Sequence, residues 1–409
     1  MAITYISWLF ASSTREISKA SEYSQLIAAF ALVAFSLVNF ISTRHKVLNR
    51  IFNGLDKSYI YHKYLSMAAL LLVVIHNITI EIGKRIEISE GIKIPRDPYA
   101  MYGSFSLYLF VALIITAIVA KKLNYERWKN IHKFMIVAYM MGVYHYYGSS
   151  TYPVLSLSPF SIWLNAVNLV GVISIFYSIF FYEKVAFKYK FKVSKLKLVS
   201  DGTLEITGRA LSKNVNFKPG QFAFIKLIGK GKKFPSHPFT ISAAPKEGEI
   251  QFTIKSLGDD TKLLLDSLQL GDEFAVEGPH GSFDYKDGGK SQVWIAGGIG
   301  VTPFRSFLQA PVPEGYSIDF FYAYNSQQDG AYIEELSQLA LNTKVKLHLF
   351  NSKEKGFLSL DAIGKEVDME QVKDVYFCGP KGMRESLRKQ FKDNNFNDLV
   401  VHFEQFQFK

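Results

Sequence analysis

Two pairs of histidines interrupt stretches that are otherwise almost entirely apolar. His62 and His76 stand fourteen positions apart, His132 and His145 thirteen apart. A lone imidazole at membrane depth serves most often as a hydrogen-bonded polar residue or a step in a proton path. Two depth-matched pairs point instead to ligation. Imidazole is a good axial ligand of haem iron, so two stacked bis-histidine haems would form an electron wire across a bilayer. A zinc or di-metal site fits less well, because no intramembrane Asp, Glu or Cys joins the two levels.

Two further motifs lie in the second half. "FPSHPFTISAAP", Phe234 to Pro245, offers an aromatic ring (Phe239) and a hydroxyl (Thr240) on one strand, with His237 and Pro238 shaping a pocket. That is either an ordinary strand or a flavin platform. "GGIGVTPF", Gly297 to Phe304, is a Gly-rich strand-to-helix turn. Gly297, Gly298 and Gly300 would let backbone N–H groups approach a pyrophosphate at a helix N-terminus. A second turn, "CGP" (Cys378, Gly379, Pro380), ends a later strand, where Cys378 either faces a nicotinamide or is a small buried residue.

The elements that must position these residues change character near residue 183. Before it, five apolar segments are long enough to span about 30 Å of hydrocarbon: 22–43, 59–83, 103–120, 131–148 and 159–182. One span separates the two histidine helices, so they run in the same direction. His62 and His132 then share one level and His76 and His145 another, roughly 20 Å away. On a straight helix a spacing of fourteen returns to nearly the same face, whereas thirteen falls well over 100° away. The 131–148 helix must therefore bend, tilt or carry an irregularity, with Gly142 the expected place.

The loops set the topology. Arg44, Lys46, Arg50 and Lys57, then Lys121, Lys122, Arg127 and Lys129, flank the spans on one side, whereas 149–158 carries no charge. The positive-inside rule makes the basic side cytoplasmic and places everything after Glu183 there. Ala2–Ala11 is too short to span and lacks a basic region before it, so it reads as an interfacial or partly inserted helix, with the remnant of a sixth span as the alternative, and not as a cleavable signal. From about 186 to 283, short alternating strands separated by turns predict an antiparallel barrel. After 291, strands alternate with helices, as in a doubly wound α/β domain. The expected domains are 1–183, 184–288 and 289–409.

The net charge of +11 follows from these flanking residues and calls for no nucleic-acid partner. A single cysteine, Cys378, excludes an intrachain disulfide and any Cys-based zinc or iron–sulfur site.

With four histidines, "HPFT", "GGIGVTPF" and "CGP" in this order, the chain resembles the NADPH oxidase and ferric reductase superfamily, most of all its single-chain bacterial NADPH oxidases. The resemblance covers residues 22 to 409. It implies two b-type haems on His62, His76, His132 and His145, with His145 a ligand despite the helix geometry. It implies FAD, in place of FMN, on His237, Pro238, Phe239 and Thr240, with Ile241, Ser242, Lys255 and Thr261 as further candidate contacts. NAD(P)H would bind through Gly297, Gly298, Gly300, Val301, Thr302 and Pro303, closed by Cys378, Gly379 and Pro380. Phe408 matches an aromatic that stacks on the isoalloxazine and yields to the nicotinamide; otherwise it is a terminal residue packed on the core. Thr240, Cys378 and Phe408 are thus the candidate catalytic residues. Asn325 stands where the family often has an arginine for the 2′-phosphate. An amide cannot supply that charge-assisted contact, so NADH stays open beside NADPH.

The expectation is a multi-pass plasma-membrane enzyme with its flavin and nucleotide domains in the cytoplasm. It would carry electrons from NAD(P)H to O2 and release superoxide outside. Neither an EF-hand loop nor a docking segment for a cytosolic subunit is recognisable, so no obligatory protein partner is expected. The rivals are a ferric or cupric reductase, an electron donor to an external protein, and a histidine-lined transporter fused to a reductase. Tyr139, midway between the histidine levels, is either an electron relay or a packing residue. Lys84 and Arg85 either attract an anion or snorkel.

Overall fold

The structure is a computed structural model that describes residues 1–52, 54–119, 125–229 and 236–403. The chain divides into two compact units at Glu183.

The first unit is helical: α1 (Ala2–Trp8), α2 (Lys19–Ser42), α3 (Lys46–Ile51), α4 (Leu55–Ser89), α5 (Ala100–Val119), α6 (Tyr125–His132), α7 (Met135–Ser149), α8 (Pro159–Phe176) and α9 (Tyr182–Ala186). Among the described residues four helices are long and apolar enough to cross a membrane: Lys19–Ser42, Lys57–Ser89, Ala100–Ala117 and Pro159–Ala186. The last runs on from α8 through a π-turn, Tyr177–Phe181, into α9. Serine caps start two of them. Ser18 accepts from the Ser21 amide at α2, and Ser158 from the Ser161 amide at α8, where Pro159 takes the first turn. Polar groups in this unit turn inward. Ser21, Ser24, Ser36 and Asn39 of α2 are buried, whereas Leu71, Ile78, Phe105 and Ile115 are exposed, as a lipid-facing surface requires. On α1, Thr4 and Ser7 are buried and Ile3 and Ile6 exposed.

The predicted 131–148 helix is two helices. Helix α6 ends at His132 and α7 begins at Met135. Across the joint, the amides of Phe134, Ile136 and Val137 bond to carbonyls three residues back, Ile131, Lys133 and Phe134, at 3.0, 3.2 and 2.9 Å. This tight winding is the irregularity that thirteen-residue spacing demands. Each residue wound at about 3.0 in place of 3.6 per turn adds roughly 20°. Three such residues supply about 60° of the roughly 140° required, turning His145 part of the way toward the side of His132. Gly142, where the irregularity was expected, sits inside α7 and lets Ser106 of α5 pack close; an added Cβ would lie 3.2 Å from its hydroxyl.

The second unit holds two sheets. An antiparallel one has the order β4-β3-β6-β1-β2-β5, with β1 (Tyr189–Ser200), β2 (Thr203–Ala210), β3 (Phe222–Ile228), β4 (His237–Thr240), β5 (Glu249–Lys255) and β6 (Glu273–His280). A bridge between Ile241 and Phe252 joins its two edges and closes it into a barrel. Phe191, Ile206, Ile225, Ile250, Phe252 and Val276 fill its interior. Helix α10 (Asp259–Ser267) follows β5.

The other sheet is parallel, in the order β11-β10-β7-β8-β9: β7 (Ser291–Gly297), β8 (Ser317–Tyr324), β9 (Lys346–Asn351), β10 (Asp374–Cys378) and β11 (Val400–Phe403). Helices α11 (Thr302–Leu308), α12 (Ile333–Thr343), α13 (Ser352–Lys355), α14 (Leu360–Gly364) and α15 (Lys381–Asp393) connect its strands. Its central strands β7, β8 and β10 are buried on both faces, as continuous apolar runs such as "VYFC" require, whereas the edge strands β9 and β11 are only partly covered.

Candidate functional site

Helix α4 carries both His62 and His76, and α2 runs beside it in the opposite direction. His62 Nδ1 donates to the Val38 carbonyl at 3.3 Å, and His76 Nδ1 to the Ser24 carbonyl at 2.9 Å. His145 Nδ1 donates to the Tyr99 carbonyl at 3.1 Å. A carbonyl only accepts, so these three rings carry their proton on Nδ1 and leave the Nε2 lone pair free. His132 stacks on Trp128 with ring centroids 5.1 Å apart. Its Nδ1 is buried and has no hydrogen-bond partner among the described residues.

Across the helices the rings meet in the expected pairs. The His62 and His132 centroids are 6.4 Å apart, and those of His76 and His145 6.3 Å. Two imidazoles on opposite sides of one iron, with bonds of about 2 Å, place their centroids about 6 Å apart. The four residues therefore fit two bis-imidazole sites. Gly103 of α5 backs the His76–His145 pair; an added Cβ would lie 2.9 Å from His145 Nε2. Tyr139 is buried, and its hydroxyl meets Ser36 Oγ at 3.0 Å. Lys84 pairs with Glu81 at 2.7 Å on the exposed surface of α4.

In the barrel, β4 is the "HPFT" segment, paired with β3 in the register Phe222 with Thr240 and Phe224 with Pro238. His237, Pro238 and Phe239 are half-buried, the first and last stacked at 6.2 Å. Ile241 lies in the barrel core, and Ser242 Oγ accepts from Thr253 Oγ1 at 2.8 Å. Lys255 pairs with Asp329 at 3.2 Å. Thr261 Oγ1 accepts from the amides of Leu257 and Gly258, capping α10.

The parallel sheet reverses its winding between β7 and β10, which carry the two Gly-rich turns at their carboxyl ends. Such a switch point opens a crevice for a ligand. Backbones crowd there because side chains are missing. A Cβ on Gly297 would meet Pro380 at 2.6 Å, one on Gly379 the Gly297 amide at 2.9 Å, and one on Gly300 would collide with the Cys378 carbonyl. Gly298, at φ +54°, adopts the left-handed backbone that glycine favours. Val301, Thr302 and Pro303 are buried beneath the turn. Cys378 is buried in the core cluster. Asn325 directly follows β8 at the same sheet edge, its carbonyl accepting from the Lys353 amide at 3.1 Å. Phe408 lies outside the described residues, as do Lys121 and Lys122 of the basic loop.

Three features escaped the sequence reading. One is the acceptor role of α2, whose only trace is the set of serines on an apolar helix. Another is Glu87, which falls beyond the expected 59–83 span yet is fully buried within α4. It accepts from Ser21 Oγ at 2.5 Å and pairs with Arg15 at 3.2 Å. The last is Arg305, which ties the barrel to the nucleotide layer. It donates to the Ser242 carbonyl at 2.9 Å and pairs with Glu335 and Glu205 at 2.8 and 3.2 Å.

An apolar helical unit, a flavin-type barrel and a parallel nucleotide sheet define a membrane-bound reductase. Comparison with known proteins gives the family. Ferric reductase-like transmembrane components match residues 27–143, FAD-binding domains residues 188–284, and oxidoreductase NAD-binding domains residues 294–389. That series is the NADPH oxidase and ferric reductase architecture, the domain order of the transmembrane, flavin-dependent NAD(P)H oxidoreductase family. The toluate 1,2-dioxygenase electron transfer component of Pseudomonas putida is 22% identical over 53% of this chain and 67% of its own length. Dual oxidase 2 of Sus scrofa is 24% identical over 62% of this chain, which is 18% of that protein. Among solved structures, the flavohem-like FAD/NAD-binding domain of nitric oxide dioxygenase from Vibrio cholerae aligns with a TM-score of 0.47 at 20% identity. That alignment covers 53% of this chain and 97% of the domain. The chain spans about a fifth to two thirds of the length of these two full-length relatives.

Proposed function

We propose that the chain is a membrane NAD(P)H oxidase. It takes two electrons from a reduced nicotinamide in the cytoplasm and delivers them to two O2 molecules outside, giving NAD(P)+, two superoxide ions and one proton. The observation that carries this reading is the pair of histidine levels, 6.4 and 6.3 Å between facing rings. Bound FAD would turn a hydride into single electrons, and two b-type haems would carry those electrons across the bilayer.

The residues divide the work by position. The crevice between β7 and β10 holds the nucleotide through backbone amides of Gly297 to Thr302, with Pro303 closing the turn and Cys378, Gly379 and Pro380 opposite. His237 to Thr240 present the flavin on a barrel strand, and the family resemblance gives Phe408 the part of the aromatic that yields to nicotinamide. His62 and His132 hold the inner group, His76 and His145 the outer. Arg44, Lys57, Lys129 and Lys184 support a cytoplasmic inner side. A plasma-membrane location and action without a protein partner complete the reading. The same residues would also serve a ferric or cupric chelate reductase.

The purified protein, given NADPH or NADH, should reduce cytochrome c in a manner that superoxide dismutase abolishes. Insensitivity to the dismutase, with fast reduction of a ferric chelate, overturns the oxidase reading in favour of the reductase.

A further inference from the structure

The two histidine levels are not held alike, and the difference lies in side chains that sequence patterns did not single out. At the outer level each Nδ1 meets two oxygens. His76 Nδ1 lies 2.9 Å from the Ser24 carbonyl and 2.8 Å from Ser24 Oγ. His145 Nδ1 lies 3.1 Å from the Tyr99 carbonyl and 2.9 Å from Ser149 Oγ. Because the carbonyls require a proton on Nδ1, both serine hydroxyls act there as acceptors; Ser24 directs its own proton to the His76 carbonyl at 2.9 Å. The inner level is bare by comparison. His62 has one long bond of 3.3 Å, and His132 Nδ1 has no partner among the described residues.

A ligand imidazole whose second N–H is drawn toward an acceptor becomes a stronger donor to its metal. Stronger donation favours the more positive oxidation state. On the haem reading above, we infer that Ser24 and Ser149 are positioning residues of the outer histidine pair, and that they lower the reduction potential of the outer haem relative to one without them. A more reducing outer site favours one-electron donation to an acceptor beyond the membrane. The serines touch neither iron nor substrate and act only through the two rings.

The test is potentiometric titration of the b-type absorbance of the purified full-length holoprotein. It compares the unaltered chain with Ser24→Ala, Ser149→Ala and their double variant. Ser66→Ala is the control, since Ser66 Oγ bonds the His62 carbonyl at 2.6 Å and not a ring nitrogen. In the double variant one of two haem components should titrate at higher potential. The expected shift is about tenfold in its reduction equilibrium, which is about 59 mV for one electron. The other component should stay in place, and Ser66→Ala should move neither. Ser149→Thr should keep the original midpoint. Two unmoved midpoints with both haems retained overturn the inference. So does loss of the outer haem with no shift in what remains, which would make the serines simple anchors. A b-type band absent from the unaltered chain is a separate outcome that overturns the haem reading itself.

Discussion

The Arg305 guanidinium lies over the ring of Tyr332 at 4.1 Å, and both side chains reach the same carboxylate. Tyr332 donates to Glu205 Oε2 at 2.8 Å, and Arg305 pairs with that oxygen at 3.2 Å. Glu205 belongs to the barrel strand β2, whereas Arg305 and Tyr332 belong to the nucleotide layer. A buried network therefore joins the two layers of the second unit. Arg305→Met removes the cation and leaves Glu205 buried without it. The expected cost is about 3–5 kcal/mol, read as a lower urea midpoint for unfolding of the second unit. Adding Glu205→Gln should recover part of that loss. A single variant as stable as the parent would mean the network contributes nothing.

The ring pairing fixes which histidines fail together. His62→Ala should remove about half of the b-type absorbance, and His62→Ala with His132→Ala no more than that. On the two-haem proposal, His62→Ala with His145→Ala should remove all of it, because each level would lose one of its two proposed ligands. Haem-to-protein ratios of the three variants decide the matter. Equal losses from both double variants would refute the pairing.

Gly300 has no room for a methyl group. Gly300→Ala should force the β7 turn away from the Cys378 carbonyl and displace a nucleotide bound there. Anaerobic reduction of the flavin by NADPH should slow about 100-fold, the usual cost of roughly 1 Å of misplacement. Flavin content should not change. Reduction within a few-fold of normal would place the nucleotide elsewhere.

Tyr285 gives the second unit a sensitivity to base. Burial, reinforced by the charge of Asp284, pushes its phenol up to about 12 from an ordinary value of 10.0. The folded state therefore favours the neutral phenol. Stability from this group is complete below pH 10 and is lost as pH rises from there toward 12. The hydroxyl has no hydrogen-bond partner among the described residues. Tyr285→Phe should thus change stability at pH 7 by no more than about 1 kcal/mol and blunt the loss between pH 10 and 12. Urea unfolding at pH 8 and 11 measures both effects. An equal pH 11 loss in both proteins would remove Tyr285 from the account.

Much of the layout is legible in residue order. The β7 and β10 turns show themselves as glycines at strand ends, and His62, His76, His132 and His145 stand out because imidazole is rare in apolar runs. Spacing even announces a distortion between His132 and His145. It does not locate it, since Gly142 is the weaker helix former by propensity, yet tertiary packing against Ser106 keeps it helical. The break falls at Lys133 and Phe134, which carry no local signal. Ser24, Ser149 and Arg305 were equally silent. Their roles depend on which neighbour packing brings to them, and a serine or arginine reads the same in sequence whether or not that neighbour exists.

Helix α2 holds no histidine, yet it is bound to α4 by a shared ruler. The acceptors Ser24 and Val38 are fourteen residues apart, as are the rings they receive, His76 and His62. Substitutions along α2 leave that measure intact, because both acceptors are backbone carbonyls. An inserted or deleted residue between them would throw one end out of step by about 100°. Variation in this helix can therefore change letters without moving either carbonyl, the Ser24 hydroxyl being a separate matter, but it cannot change the length between them.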